Sequence, residues 1–407
     1  MQGLVKYESL REEFTSSLLG LTTLCVAVWL LIYLPLRTFW NGLLQLTTFQ
    51  IVSMLLVIWT TATFHFWANE QRVVYSYRKL VIATIFVSLL KPILEIILVL
   101  HSTDKVAARI LGVVLAELAV YSWMFVVEIK RGKKLYSKRF WLYALSFNIP
   151  LIPHYLSQVV LNSCDRIMIQ RIIGDREAGI YNLAYSVSLI MTLFNTSLMQ
   201  TISPWIYKKI KTNDIEDISQ VAYTSLIFIA GVNLLLIVVG PEIVRFFAPE
   251  EYYEARWVIP PVALSVFFMF SYDLFAKFAF YYEKTRFIMI ASVLGAVLNI
   301  ILNYVCINRF GYIAAGYTTL ICYMVYSFAH FMFMKKVCAQ YCDGKVPYSA
   351  RTLIIIAAVF VGTGLMLLLS YDHFAARYSI FVAFLSGLFL KRKMITERML
   401  VLLKIRK

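Results

Sequence analysis

The stretch DRIMIQRIIGDREAGIYNLAY, residues 165–185, places charged side chains inside an otherwise apolar segment. Asp165 and Arg166 precede Gly174 by about two and a half helical turns, or about 12 Å along a helix axis. Ionised groups at that depth in a bilayer are costly, so they are expected to face protein or a water-filled cavity. The stretch therefore predicts either a local ion pair between Asp165 and Arg166 or a cavity in which Arg166 meets an anion.

The composition of the whole chain indicates a helical membrane protein. Of its 407 residues, 60% are hydrophobic and 15% are charged, and the mean hydropathy is +0.73. A soluble domain has about 45–50% apolar residues, so this chain has too little polar surface to cover a soluble enzyme of its size. The counts of 6 Cys, 16 Gly and 10 Pro also exclude a disulfide scaffold and a collagen-like chain.

A hydropathy window of about 19 residues predicts twelve transmembrane helices and an all-α integral membrane fold. Pro150 and Pro153 should break or bend the helix that leads into the fifth span. The predicted spans cover residues 15–36, 43–68, 80–100, 110–128, 150–173, 178–203, 220–240, 257–281, 286–307, 312–334, 351–370 and 374–390.

The distribution of Lys and Arg predicts the orientation of these spans. When Lys and Arg residues near the end of a span are assigned to the adjoining linker, 27 of the 39 lie in the termini and even-numbered linkers, 9 lie in the odd-numbered linkers, and 3 lie deep inside spans. The positive-inside rule then predicts a multi-pass membrane protein with both termini in the cytoplasm. The net charge of +16 thus reflects topology, and no nucleic-acid partner is expected.

The basic segment 391–407 has apolar residues at helical spacing. It is expected to form an amphipathic helix on anionic membrane lipids, the alternative being a frayed tail.

Several residues carry a family resemblance. Within the quoted stretch and after it these are Asp165, Arg166, Gly174, Gly179, Tyr181, Ala184 and Pro204, and later Asn299, Asn303, Gly311 and residues 314–316. In order and spacing, they make the chain resemble the polysaccharide-export flippases, the Wzx-like proteins of the multidrug/oligosaccharidyl-lipid/polysaccharide exporter superfamily.

The resemblance implies two pseudo-symmetric bundles of six helices, often with two further helices, and a central cavity that opens alternately to each side. It implies that the cargo is an oligosaccharide repeat unit on a polyprenyl diphosphate. Only four spans precede the Asp165 motif, which opens the second bundle in the family. We therefore expect an incomplete N-terminal lobe at 1–139, a six-helix lobe at 140–340, and two extra helices with a basic tail at 341–407. The first two family helices are expected to be missing, through a misplaced start codon, a truncated gene or a shortened variant.

Three cations inside spans, Arg166, Lys91 and Lys277, are the predicted contacts of the diphosphate. Fixed cations in a low-dielectric vestibule compensate an anion for its lost hydration. With Asp165 and Tyr181, whose aromatic ring is able to stack on sugars, they form the predicted substrate-binding set. Lys91 and Lys277 each have a carboxylate four residues away, so internal salt bridges within one helix are the alternative.

Two carboxylates inside predicted spans are candidates for coupling transport to an ion. Glu117 has no charged partner within four residues, and Asp273 lies four residues before Lys277. Each is predicted to bind a proton or sodium ion, the alternatives being a neutral, hydrogen-bonded carboxyl at Glu117 and a simple salt bridge at Asp273.

Neither a catalytic signature nor a phosphate-binding GxxxxGK[ST] loop occurs in the sequence, so no enzymatic activity, cofactor or metal is expected. The predicted function is a flippase for lipid-linked oligosaccharide in the synthesis of O-antigen, capsule or exopolysaccharide. The pathway's polymerase and glycosyltransferases are expected as partners. The alternatives are a drug or cation antiporter of the same superfamily, a polymerase or ligase of O-antigen units, and an inactive remnant.

Overall fold

The computed structural model describes residues 1–390, which form helices joined by short turns, and describes side chains to residue 387. The α-helices of this part of the chain are α1 (Gln2–Lys6), α2 (Arg11–Tyr33), α3 (Arg37–Leu44), α4 (Thr48–Val73), α5 (Tyr77–His101), α6 (Lys105–Gly132), α7 (Lys138–Asn148), α8 (Ile152–Ile172), α9 (Asp175–Lys211), α10 (Ile218–Phe247), α11 (Ile259–Tyr281), α12 (Thr285–Phe310), α13 (Ala314–Tyr341), α14 (Ala350–Leu369) and α15 (Phe374–Leu390). Short 3₁₀ helices lie at Glu8–Leu10, Ile149–Leu151 and Glu250–Trp257.

The predicted all-α membrane fold is confirmed. Each of the twelve predicted spans coincides with one long helix, namely α2, α4, α5, α6 and α8 to α15. Within residues 1–390, nine helices are long and apolar enough to cross a membrane. The other three are α8 and α9, which carry more polar residues, and α15, which has 17 residues. The predicted amphipathic segment at 391–407 lies outside the described residues.

Local sequence signals set several helix boundaries. Pro150 and Pro153 separate α7 from α8 through a 3₁₀ turn, as predicted. Gly311 has a φ of +78°, a conformation that few other residues adopt easily, and it ends α12. The sixth predicted span ends at 203, whereas its helix α9 continues through Pro204 to Lys211. Pro204 is buried, and the hydroxyl of the preceding Ser203 donates to the helix backbone 2.6 Å away, which supports the helix around the proline.

The chain divides into two compact units. Unit 1 is Met1–Ser146, and unit 2 begins at Phe147. The three-part division into 1–139, 140–340 and 341–407 stays a prediction.

Helix α6 lies at the centre of unit 1 and packs against α2, α4 and α5. Its Tyr121 stacks on Phe64 of α4 at 4.8 Å between ring centroids, next to a buried cluster with Val87 of α5. Gly112 permits close approach of α5 and α6, because a Cβ added there would lie 2.8 Å from the backbone of Glu95. This packing holds the polar residues of α4, α5 and α6 in one interior.

Helix α11 forms the core of unit 2 and packs against α9, α10 and α13. Its apolar window is 83% buried, more than that of any other of the nine apolar spans. On another side of the unit, α12 packs against α8 and α13. Polar residues of α8, α9, α12 and α13 therefore come together within unit 2.

Candidate functional site

The carboxylate of Asp165 is the centre of a buried polar network in unit 2. Asp165 is 2% exposed. Its oxygens accept hydrogen bonds from Tyr181 of α9 at 2.8 Å, from Asn303 of α12 at 2.6 Å and from Thr319 of α13 at 2.9 Å. The network thus joins four helices through one acidic side chain.

Further oxygens surround this carboxylate. The amide of Asn303 also donates to the side-chain oxygen of Asn299 at 3.1 Å, and the hydroxyl of Thr318 donates to the side-chain oxygen of Asn303. These three residues are buried as well. Among the described residues, no Lys or Arg forms an ion pair with Asp165. A carboxylate in such surroundings needs a proton or a small cation to balance its charge, and carboxylate, amide and hydroxyl oxygens are suitable ligands for a hard cation.

Arg166 turns away from Asp165, so the predicted local pair between them is wrong. Its guanidinium donates to the side-chain oxygen of Asn182 at 3.0 Å and to the backbone oxygen of Asn162 at 2.7 Å. It also lies 5.2 Å from the ring centre of Tyr185. The divergence follows from helix geometry, since consecutive residues of a helix point about 100° apart.

Arg166 lines an open groove of about 410 Å³ between α8 and α9. The groove is lined by Ser163, Arg166, Ile167, Gln170, Asp175, Ala178, Gly179 and Asn182. The groove holds one basic residue, Arg166, and one acidic residue, Asp175, whose carboxylate accepts a hydrogen bond from Gln170 at 2.7 Å. Arg166 is thus the group of this groove that is able to bind an anion.

A tyrosine lies in the turn that joins α12 to α13. The phenol of Tyr312 donates to a carboxylate oxygen of Glu254 at 2.7 Å. Burial, and then the hydrogen bond to Glu254, raise the pKa of Tyr312 above its usual range. This phenol therefore stays protonated at neutral pH and acts as a hydrogen-bond donor.

The second predicted cation, Lys91, does not pair with Glu95, the carboxylate four residues away in its own helix. Its ammonium lies 2.6 Å from Glu117, and Glu95 pairs instead with Arg109 at 3.2 Å. Sequence spacing suggested Glu95, but α6 brings Glu117 against the other side of Lys91. The salt bridge predicted within one helix is therefore wrong here.

Glu117 is 3% exposed and has hydroxyl partners in addition to Lys91. Thr60 of α4 donates to it at 2.5 Å and Thr61 at 3.2 Å. The polar interior of unit 1 therefore joins α4, α5 and α6 at this level. Lys91 balances the negative charge of Glu117, whereas no Lys or Arg in the described residues forms an ion pair with Asp165.

The third predicted cation, Lys277, forms the local pair that the spacing indicated. Its ammonium lies 2.7 Å from Asp273 within α11. Lys277 is buried, and it is not among the residues that line the groove at Arg166. The structure thus joins Tyr181 to Asp165, places Arg166 in a separate groove, and gives Lys91 and Lys277 carboxylate partners of their own.

Sequence reasoning missed a buried cation near the start of α15. Arg377 is 2% exposed, donates to Glu242 of α10 and donates to the backbone of Tyr371 at 3.3 Å. Arg377 lies three residues after the start of the predicted span 374–390, which could have indicated a buried cation. The charge count assigned it to the preceding linker, so it was missed. The contact attaches α15 to α10.

Comparisons with known proteins agree with this fold. The family described as polysaccharide biosynthesis protein matches residues 2–210, and the MatE family matches residues 150–305. An uncharacterized membrane protein of Haemophilus influenzae is 24% identical over 205 residues, which are 49% of this chain and 50% of that protein. The chain spans about half the length of the curated relatives it matches.

Two solved structures share the fold at low sequence identity. A mutant of the MATE transporter VcmN from Vibrio cholerae has a TM-score of 0.68 and 13% identity, covering 83% of this chain and 81% of that one. The lipid II flippase MurJ, in an inward closed conformation, has a TM-score of 0.57 and 14% identity, covering 95% of this chain and 85% of that one.

Proposed function

The chain belongs to the polysaccharide biosynthesis protein family of the multidrug/oligosaccharidyl-lipid/polysaccharide exporter superfamily, and from that premise we propose that it is a flippase. Its cargo is an oligosaccharide repeat unit on a polyprenyl diphosphate. The protein moves this cargo by alternating access from the cytoplasmic to the outer leaflet of the bacterial inner membrane, for O-antigen, capsule or exopolysaccharide synthesis. It performs no enzymatic step, and the pathway's polymerase and glycosyltransferases are its partners.

The guanidinium of Arg166, which lines a groove without forming an ion pair in the described part of the chain, carries the proposal. All of its recorded hydrogen-bond acceptors are neutral, and within residues 1–390 it forms no ion pair. A half-buried guanidinium of this kind attracts a diphosphate, which it is able to bind through two parallel hydrogen bonds. Lys91 and Lys277 contribute less to the positive potential than their charges suggest, because each already has a carboxylate within 2.7 Å.

Coupling to an ion is assigned first to Asp165. It is the most enclosed of the three acidic candidates, and it lacks the lysine that Glu117 and Asp273 possess. A proton or small cation at Asp165 would hold α8, α9, α12 and α13 in one arrangement, and its loss would release them. Glu117 and Asp273 remain coupling candidates by a different route. A proton bound to either carboxylate would break its ion pair with Lys91 or Lys277.

A second candidate function is a drug or cation antiporter of the same superfamily. The uncompensated carboxylate of Asp165 and the MatE match at residues 150–305 favour it. The two functions differ in the charge of the cargo, since an antiporter for cationic drugs has no need of Arg166 in the groove.

The test is complementation of a strain that lacks its oligosaccharide flippase. Arg166→Ala should abolish surface polysaccharide while the amount of protein in the membrane stays unchanged, and Arg166→Lys should restore part of it. Arg171→Ala is the matched control, because it removes the same charge from an exposed position in the last turn of α8. Normal polysaccharide in the Arg166→Ala strain would contradict the assignment. If the wild-type protein confers drug resistance on this strain but does not restore its surface polysaccharide, the antiporter function is favoured.

A further inference from the structure

Two carboxylates meet at one end of unit 1, apart from the polar network at Glu117. Glu70 lies in the last turn of α4, and Glu128 lies in the last turn and a half of α6. Both positions are close to linkers that are rich in Lys and Arg, so this is the predicted cytoplasmic end of the unit. None of the predicted substrate or coupling residues belongs to this pair.

The burial of this pair is unusual for acidic side chains. The side chain of Glu128 is 0% exposed and that of Glu70 is 8% exposed. Neither oxygen of Glu128 receives a hydrogen bond, and one oxygen of Glu70 receives none. A buried ionised carboxylate without a donor is costly, so a fully ionised pair is a poor description of this site.

Nearby charges do not compensate both carboxylates. Arg131 lies 3.9 Å from Glu70 and 3.8 Å from Glu128, beyond hydrogen-bond range, and its side chain is 44% exposed. Glu12 at the start of α2 adds a third negative charge that acts on Glu128. Helix α5 also packs against α6, but none of its groups is among the charges recorded as acting on Glu128. One half-exposed cation therefore faces two buried acids and a third acid nearby.

A single proton resolves this imbalance. Glu70 and Glu128 both lie within 3.9 Å of the same guanidinium nitrogen of Arg131, so the two carboxyl groups are close to each other. A proton on either carboxyl gives the pair a donor that it otherwise lacks. The protonated pair with Arg131 has no net charge, and two carboxylates this close do not both ionise readily. A metal cation fits less well, because the hydroxyl and amide oxygens that surround Asp165 have no recorded counterpart at Glu70 and Glu128 in the described part of unit 1.

We propose that Glu70 and Glu128 form a proton-binding site that holds one shared proton at the predicted cytoplasmic end of unit 1. The half-exposed guanidinium of Arg131 lies between the pair and water, where it favours release of the proton. Release leaves two facing negative charges on α4 and α6, which weakens their contact at this end. The site is thus a proton acceptor in its own right, whatever cargo the protein moves.

The test is infrared difference spectroscopy of the full-length protein in lipid nanodiscs, with pH as the variable. The C=O stretch of a protonated carboxyl is resolved from that of a carboxylate, so the measurement does not depend on transport. Wild-type protein should show a protonated-carboxyl band that disappears as the pH rises. Glu128→Gln and Glu70→Gln should each remove the same band, because an amide donates to the remaining carboxylate and replaces the shared proton.

Two further variants sharpen the test. Glu95→Gln is the matched control, since Glu95 is an acidic residue of unit 1 with its own arginine partner and 22% exposure, and it should leave the band intact. Arg131→Ala should preserve the band to higher pH, because the cation that favours release is gone.

Elution of each variant as a single species in size-exclusion chromatography checks that it is folded. Should Glu128→Gln fail to fold, Glu70→Gln and Arg131→Ala still decide the question. A band that survives both glutamine substitutions would overturn the proposal, and a band lost in only one of them would overturn the sharing of the proton.

Discussion

Replacement of Asp165 by Asn tests the polar centre of unit 2. The carboxylate accepts from Tyr181, Asn303 and Thr319. An amide of the same shape has one accepting oxygen and a donating NH₂ group, so at least one of the three donors then faces another donor. An unpartnered buried donor costs about 1–3 kcal/mol. Asp165→Asn should therefore lower the free energy of unfolding by about 2 kcal/mol.

The same variant should lose its response to an ion. A ligand that binds only the folded protein stabilises it by about 2.7 kcal/mol at a concentration of about 100 times Kd. Wild-type protein in detergent should therefore unfold at a temperature that changes with the concentration of a small cation or with pH. Asp165→Asn should respond to neither, because the acidic group that binds the ion is absent.

The assay is thermal unfolding followed by tryptophan fluorescence, in sodium, potassium and choline chloride at constant ionic strength and across a pH series. Thr319→Val is the matched control, because it removes one donor and retains the carboxylate. It should be destabilised by about 1 kcal/mol and should keep the ion response. An Asp165→Asn protein that responds to cations and pH as the wild type does would refute the coupling role of Asp165.

Three other substitutions test the packing and the ion pairs by the same unfolding assay. Glu117→Gln should cost about 2 kcal/mol, because Lys91, whose side chain is 31% exposed, loses its charged hydrogen-bond partner. A double variant with Lys91→Met should recover part of that loss, and equal stability of the two would contradict the pairing. Gly112→Val should cost about 1–3 kcal/mol because its side chain enters the backbone of α5, and Gly362→Ala, which meets open space, should be neutral or stabilising. Arg377→Met should cost about 1 kcal/mol, because it removes the hydrogen bonds to Glu242 of α10 and to the backbone of Tyr371, and unchanged stability would show that the contact does not hold α15.

Helix positions were predictable because they depend on local sequence. A run of about 20 apolar residues forms a helix in a bilayer, since every backbone group must find its hydrogen bond within the segment. The interruption at Pro150 is also a local effect, because the proline ring removes a backbone N–H and clashes with the preceding turn of the helix. The continuation of α9 beyond Pro204 was not predicted, because burial against neighbouring helices supports it, and burial is not a local property.

The partners of charged side chains were less predictable. Lys91 has Glu95 four residues away, yet its partner is Glu117, which lies 26 residues away in sequence. Asp165 and Arg166 are neighbours in sequence, and their helix points them into different surroundings. For Asp273 and Lys277 the spacing rule was correct, because both face the same side of α11.

The amino-acid sequence by itself determined that this is a helical membrane protein, where its helices lie, and which charged residues fall inside them. These properties follow from hydropathy and backbone hydrogen bonding, which act over a few turns of one helix. Only the tertiary structure decided which charge each of these residues meets, that Arg166 lines a groove with neutral hydrogen-bond acceptors, and that Glu70 and Glu128 lie close together in the interior of unit 1. Such pairings depend on how helices distant in the chain are packed, and no spacing along the chain encodes the rotation of one helix against another.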